Sequence, residues 1–351
     1  MTHDLGSHVE VVGFLVAMTV LGRACADEGL FDAWGGLVSR VSRDPRRLGV
    51  AAGLLAAGIT VVLTLDATVV LLTPVLLAAG LGRRGSLLSV RLANSASTLL
   101  PISNLTNLLA VAATGWTFVE FARVMLPVWV VGVVAEIAIV SWWCRRDPAP
   151  APPLGPVSAT PLVPAGIVIA VLCGLAAGEQ PWVVATAGAA LLNVHAVVTR
   201  ATTWRDLLAA ANLPLAALVI VWGWVVTLVA DTPAGEWITD LLPHGTTWAA
   251  LVGIALVAMA TANVVNNLPA TLLLLPAAAA TGPVGVAALL IGVNVGANLT
   301  AVGSLANLLW RSAGGRASVG WGEFHRLGLL TTPLLVVLGA SVLWAWSPVV
   351  T

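Results

Sequence analysis

Asp66 lies in the string Thr64-Leu65-Asp66-Ala67-Thr68, between apolar runs at 50–65 and 69–81. A carboxylate at membrane depth costs roughly 2.5–3.5 kcal/mol, so its presence needs a reason. It can serve as a proton or cation site, or it can cap the helix that starts at Ala67. Asn266 and Asn267 occupy a matching place between apolar runs at 249–265 and 270–280, with Pro269 behind them as a helix starter. Carboxamides both donate and accept, so the pair can hold a ligand or satisfy bare backbone. Thr68 and Thr271 follow the two tips closely.

Two further clusters place polar residues inside apolar spans. They are Asn94, Ser103, Asn104, Thr106 and Asn107, and then Asn294, Asn298, Thr300, Ser304 and Asn307. A helix unwound at such points presents carbonyls and helix ends to a substrate or ion. The plainer reading is ordinary interhelical hydrogen bonding. Glu136 falls about 8 Å from the centre of its helix and is expected to pair with an Arg or face water. Glu120, Arg123, Glu323 and His325 fall near span ends and read as solvated or snorkelling groups; His195 reads as structural.

Enzyme chemistry finds little support. The chain has no H-E-x-x-H motif, and without Lys it has no G-x-x-x-x-G-K-[ST] phosphate loop. Cys25, Cys144 and Cys173 are too dispersed for a C-x-x-C pair or for capture of a metalloid by three thiolates. No metal or cofactor is expected.

Positioning these residues requires membrane-spanning elements. The chain is 59% hydrophobic and only 9% charged, against about 25% charged in soluble domains. Eight crossings are expected near 9–24, 86–113, 118–143, 161–178, 181–198, 207–230, 286–312 and 325–347. The runs around Asp66 and around Asn266-Asn267 have arms too short for a full span of about 20 residues, and each has a polar centre. They read as two re-entrant hairpins, tolerated only where protein or water surrounds the tip. Amphipathic stretches before them are placed at the interface: Leu30, Phe31, Trp34, Leu37, Val38 and Val41, and then Trp237, Ile238, Leu241 and Leu242. Residues 1–10 carry no Lys or Arg, so no cleavable signal peptide is expected.

The two halves repeat. At an offset of 200, six of 16 positions in 94–109 and 294–309 are identical: Asn94/Asn294, Leu99/Leu299, Leu105/Leu305, Asn107/Asn307, Leu108/Leu308 and Leu109/Leu309. Five crossings between the hairpins make the repeat inverted. The expected architecture is therefore all-α and polytopic, with two inverted repeats, each carrying an interfacial helix, a re-entrant hairpin and a broken transmembrane helix. Residues 1–146 form the first repeat, 147–160 a Pro-rich linker, 161–206 a connecting transmembrane hairpin, and 207–351 the second repeat. One side of the membrane receives Arg40, Arg43, Arg46, Arg47, Arg83, Arg84, Arg145, Arg146, Arg200, Arg205, Arg311, Arg316 and Arg326, and is read as cytoplasmic. The first hairpin then opens to the cytoplasm and the second to the outside, with both termini external, in a cell's inner membrane.

At these same motifs the chain resembles the arsenite/antimonite efflux permeases, the arsenical pump membrane proteins. They belong to a wider ion-transporter group that includes divalent-anion/sodium symporters. The matching strings are LDATVVLLTP from Leu65 to Pro74, ANSAS from Ala93 to Ser97 with SNLTN from Ser103 to Asn107, NNLPAT from Asn266 to Thr271, and GSLANLLW from Gly303 to Trp310. The resemblance implies a secondary transporter with substrate and ion held between hairpin tips and helix breaks. It departs from the family at Leu65 and Asn94, where relatives often carry Asn and Asp, so this site implies fewer carboxylates. Export of arsenite or antimonite by proton antiport or membrane potential is the leading expectation. A cation-coupled carrier of a small anion, or a sodium/proton antiporter, is the alternative. The partners so implied are a small inorganic substrate, a coupling proton or sodium ion and the lipid bilayer, with no nucleic acid. A homodimer and a separate ATPase subunit both stay open.

Overall fold

The computed structural model describes residues 2–41, 44–147, 159–211 and 241–350, with isolated positions between 213 and 240. All regular structure among these residues is helical. Most of the expected crossing at 207–230, most of the Pro-rich linker and Ile238 lie outside the described residues.

Helix α1 (Thr2–Asp27) leads into the amphipathic α2 (Leu30–Val41). Of the stripe on α2, Phe31 and Val38 are buried and Leu37 is exposed. In the second stripe Leu242 is buried while Trp237 and Leu241 are exposed. Helix α3 (Pro45–Val62) and α4 (Leu65–Ala78) form the first helix pair. Pro74 lacks an N–H and would clash with the preceding turn, and α4 absorbs this as a π-helical stretch over Thr68–Leu72. The sharp turn falls at Leu63 and Thr64, at the start of the expected tip at 64–68.

Helix α5 (Gly82–Ala96) stops short of α6 (Leu105–Thr114), and a 3₁₀ turn at Pro101–Ser103 occupies the break. Then come α7 (Phe118–Trp143), α8 (Leu162–Ala176), α9 (Pro181–Val198) and α10 (Trp204–Ala210). The second half holds α11 (Trp248–Val265) and α12 (Asn267–Ala280), followed by α13 (Pro283–Asn294), which tightens into a 3₁₀ turn at Val295–Asn298. After the break at Ala301–Gly303 come α14 (Leu305–Trp310) and α15 (Trp321–Val350). By length and apolarity α7, α9, α11 and α15 could each cross a membrane. α11 was expected as a short hairpin arm, and its 18 residues make length alone a poor discriminator.

Two apolar cores form, and they interlock. The first gathers α1 to α5, α8 and α9, and also buries Trp310 and Phe324 from the far end of the chain. The second gathers α11 to α13 and α15, and also buries Ala110, Phe121 and Met125. At the end where α5 and α15 begin and α7 ends, Arg83 pairs with Asp147 and Glu323, and Arg84 donates to the Cys144 carbonyl. These are members of the Arg-rich loops that the charge bias assigned to one side.

Candidate functional site

Thr64 sets up the first tip. Its extended backbone starts α4, and its hydroxyl accepts from the Ala67 N–H. The cap considered for Asp66 is therefore held by Thr64, and the carboxylate is left over in the first turn of α4. No hydrogen bond or ion pair from a described residue reaches it. Thr68 points elsewhere, to the Thr60 hydroxyl and the Thr64 carbonyl, and so ties the two arms together.

Asn266 makes the second tip. It sits at φ 85°, a backbone state costly for a non-glycine residue and held only where neighbours over-determine it. Its side-chain amide donates to the Val302 carbonyl at 3.0 Å, tying the tip to the second break. Asn267 opens α12, and the Thr271 hydroxyl turns back to the Asn267 carbonyl.

A cavity of about 420 Å³ lies between these tips. Asp66, Asn104, Asn266, Asn267 and Val302 share its wall with apolar residues. A second cavity of about 240 Å³ lies on the other side of the first tip, lined by Thr19, Arg23, Thr64 and Asp66. Asp66 thus faces both.

Behind the larger cavity stands a buried carboxamide lattice. The breaks are built alike: Leu100 and Asn104 are extended around one 3₁₀ turn, Thr300 and Ser304 around the other. Asn107 donates to the carbonyls of Ser97 and Leu100, and Asn307 donates to those of Ala297 and Thr300. These two bonds of Asn107 have their counterparts at an offset of 200. The halves then cross over. Asn94 donates to Asn307 at 2.8 Å, and Asn294 donates to Asn107 at 2.9 Å. Asn104 and Thr106 both donate to Asn294 Oδ1. Asn298 donates to Ser95 and to Glu136. Asn94 Oδ1 is buried with no partner among the described residues.

Of the candidate residues, then, Asp66, Asn104, Asn266 and Asn267 meet at the cavity. Asn94, Thr106, Asn107, Asn294, Asn298 and Asn307 form the lattice. Ser103 donates to the Val61 carbonyl and Ser304 caps α14, so these two hold backbone, while the Thr300 hydroxyl donates to the Asn263 side chain.

Sequence reasoning missed three participants. Arg91 is fully buried and grips Glu136 with two hydrogen bonds of 2.6 and 3.2 Å. Its place in α5, one turn before Asn94, was the available signal. Asn263 accepts from the Thr300 N–H and donates to the Gly296 carbonyl. His325, read as an interfacial group, accepts from the Ala301 N–H at the second break.

The geometry describes a solvent-sized chamber with one carboxylate, several carboxamides and two helix breaks around it, on an all-helical frame. Known proteins share the family and the all-helical frame. The sequence profile of the citrate transporter family matches residues 5–292. The arsenical pump membrane protein of Escherichia coli is 26% identical over 368 residues, spanning 93% of this chain and 84% of the relative. That of strain K12 is 27% identical over 371 residues with the same coverage. An uncharacterized transporter of Mycobacterium tuberculosis is 25% identical over 384 residues, covering 98% of this chain and 87% of its own. Among solved structures, the Alcanivorax borkumensis YdaH transporter shares the fold, with a TM-score of 0.51 at 16% identity over 98% of this chain and 87% of that one. The motif resemblance to the arsenical pump membrane proteins is thereby borne out. This is a multi-pass membrane transporter, and the chain belongs to the citrate transporter family.

Proposed function

We propose that the chain is a secondary transporter of a cell's inner membrane that exports arsenite or antimonite, driven by proton antiport or by the membrane potential. In this reading the two halves are inverted repeats, α3/α4 and α11/α12 are re-entrant hairpins, and the substrate sits between their tips. Asp66 carries the argument. It is a carboxylate without a protein partner among the described residues, on the wall between two cavities. A group so placed can take a proton from one side and release it to the other.

The rest of the larger chamber suits an uncharged hydroxylated substrate. Arsenous acid is mostly a neutral trihydroxy molecule at neutral pH, and Asn104, Asn266 and Asn267 offer donors and acceptors to its hydroxyls. Arg91 does not oppose this, because its charge is spent on Glu136. The relatives named as arsenical pumps support the same substrate. A second reading, cation-coupled carriage of a small anion, draws support from the citrate transporter profile.

Uptake into everted vesicles separates the two. Under an imposed proton gradient, arsenite is expected to accumulate and citrate and sulfate are not. Sodium-dependent citrate uptake with arsenite ignored would overturn the proposal in favour of the second reading.

A further inference from the structure

The second break contains a backbone donor that the first break lacks. Position 101 is proline, which has no N–H, and its counterpart at the 200 offset is Ala301, which has one. That N–H points at His325 Nε2, 3.1 Å away. A backbone N–H can only donate, so Nε2 must be the bare nitrogen of a neutral ring. The ring is held in place by stacking on Trp321.

We propose that His325 is a positioning residue of the transport site, which closes the second break only while its imidazole is neutral. The path to the site is short. Ala301 begins the turn Ala301–Gly303; Val302 in that turn lines the cavity, and its carbonyl receives the amide of Asn266 at the hairpin tip. A proton on Nε2 sets donor against donor, and the turn loses its tie to α15. Imidazole is the side chain that changes charge between about pH 5 and 8. The first break, with Pro101, has no such dependence.

Other charges around the ring are accounted for. Arg311 lies over the Trp321 ring. Glu323 and Arg326, on the same helix, are engaged with Arg83 and Trp143. Glu136 of α7 is held by Arg91, which also reaches Thr331. Glu120 and Arg123 are at the far end of α7, where the Arg123 carbonyl accepts from Trp346. The packed helices α11 and α13 carry no charged residue.

This inference rests on the proposed site for its consequence, but its test does not use substrate. Backbone hydrogen exchange is followed in the full-length protein, in detergent, over peptides covering 296–306, from pH 8 to pH 5 and corrected for intrinsic rates. Wild type is expected to lose protection roughly five- to tenfold as the imidazole protonates. His325→Ala should show the low protection at every pH. Ala301→Pro should remove the pH dependence, and should restore protection in the His325→Ala background. The substitution fits, because Thr300 is already extended (φ −133°, ψ 166°), as a residue before proline must be. A pH-independent wild-type profile, or a folded Ala301→Pro/His325→Ala protein as unprotected as His325→Ala, would overturn the proposal. Since flux is not the readout, an error in substrate assignment leaves this test intact.

Discussion

Removing Glu136 should destabilise the protein by an amount that separates a buried ion pair from a surface one. Both partners are fully buried. Glu136 Oε2 accepts from Arg91 at 2.6 Å, and Oε1 accepts from Arg91, Ser95 and Asn298 at 3.2, 2.9 and 3.1 Å. Glu136→Ala leaves a guanidinium in the core with the Thr331 hydroxyl as its remaining side-chain acceptor. Stranding one partner of a buried pair costs about 3–5 kcal/mol. Replacing both partners by apolar groups removes the desolvated charge altogether, so Arg91→Met/Glu136→Leu should be less destabilised than Glu136→Ala alone. Ser95 and Asn298 keep each other as partners in that double variant. Reversible unfolding by sodium dodecyl sulfate in mixed micelles measures the difference. A loss below about 1 kcal/mol for Glu136→Ala, the range of exposed pairs, would refute the reasoning.

Further outcomes follow from the site. Asp66→Asn should insert and bind substrate yet lose its response to a pH gradient; wild-type proton-driven flux in this variant would make Asp66 structural. Gly303→Ala should cost about 1–3 kcal/mol, read by the same unfolding assay, because the added methyl would run into the Ala297 carbonyl and Asn263 Oδ1. The Cys144 thiol, at the end of α7, is pushed up to about 12 by burial and then by the Asp147 carboxylate. It should therefore resist iodoacetamide at pH 8, and rapid labelling in folded protein would contradict that burial. Replacing Cys25, Cys144 and Cys173 together by Ser should leave transport largely intact, and its loss in a folded triple variant would bring thiol chemistry back.

Much of the frame was legible because membrane helices announce themselves by composition. The breaks could be read from Asn, Ser and Thr interrupting apolar runs, and the repeat from the 200 offset of Asn94 and Asn107. What escaped depends on side-chain direction across distant segments. Arg91 is 45 residues from Glu136, and nothing local says that they meet. His325 has no polar neighbour in sequence that points to Ala301; the clue was the missing N–H at Pro101, visible only once the two breaks are laid side by side. The sequence places the tip over 64–68, but the capping role weighed for Asp66 falls to Thr64, whose hydroxyl reaches the bare N–H of Ala67. Arg83, one of the Arg-rich loop residues, meets Asp147 and Glu323 at one end of the helices, a pairing that loop charge alone does not specify.

The crosswise asparagines also set an order of events during synthesis. Asn104 waits for Asn294, and Asn94 for Asn307, across 190 and 213 residues of chain. Long-range contacts form late and need earlier parts to stay competent in the meantime. The first half can emerge from the ribosome, insert and pack its own helices, but Asn94 and Asn104 lack their cross-half partners Asn307 and Asn294 until the last part of the protein arrives. The proposed chamber would therefore be completed late, and a chain released too soon would lack the cross-half bonds that stand behind it.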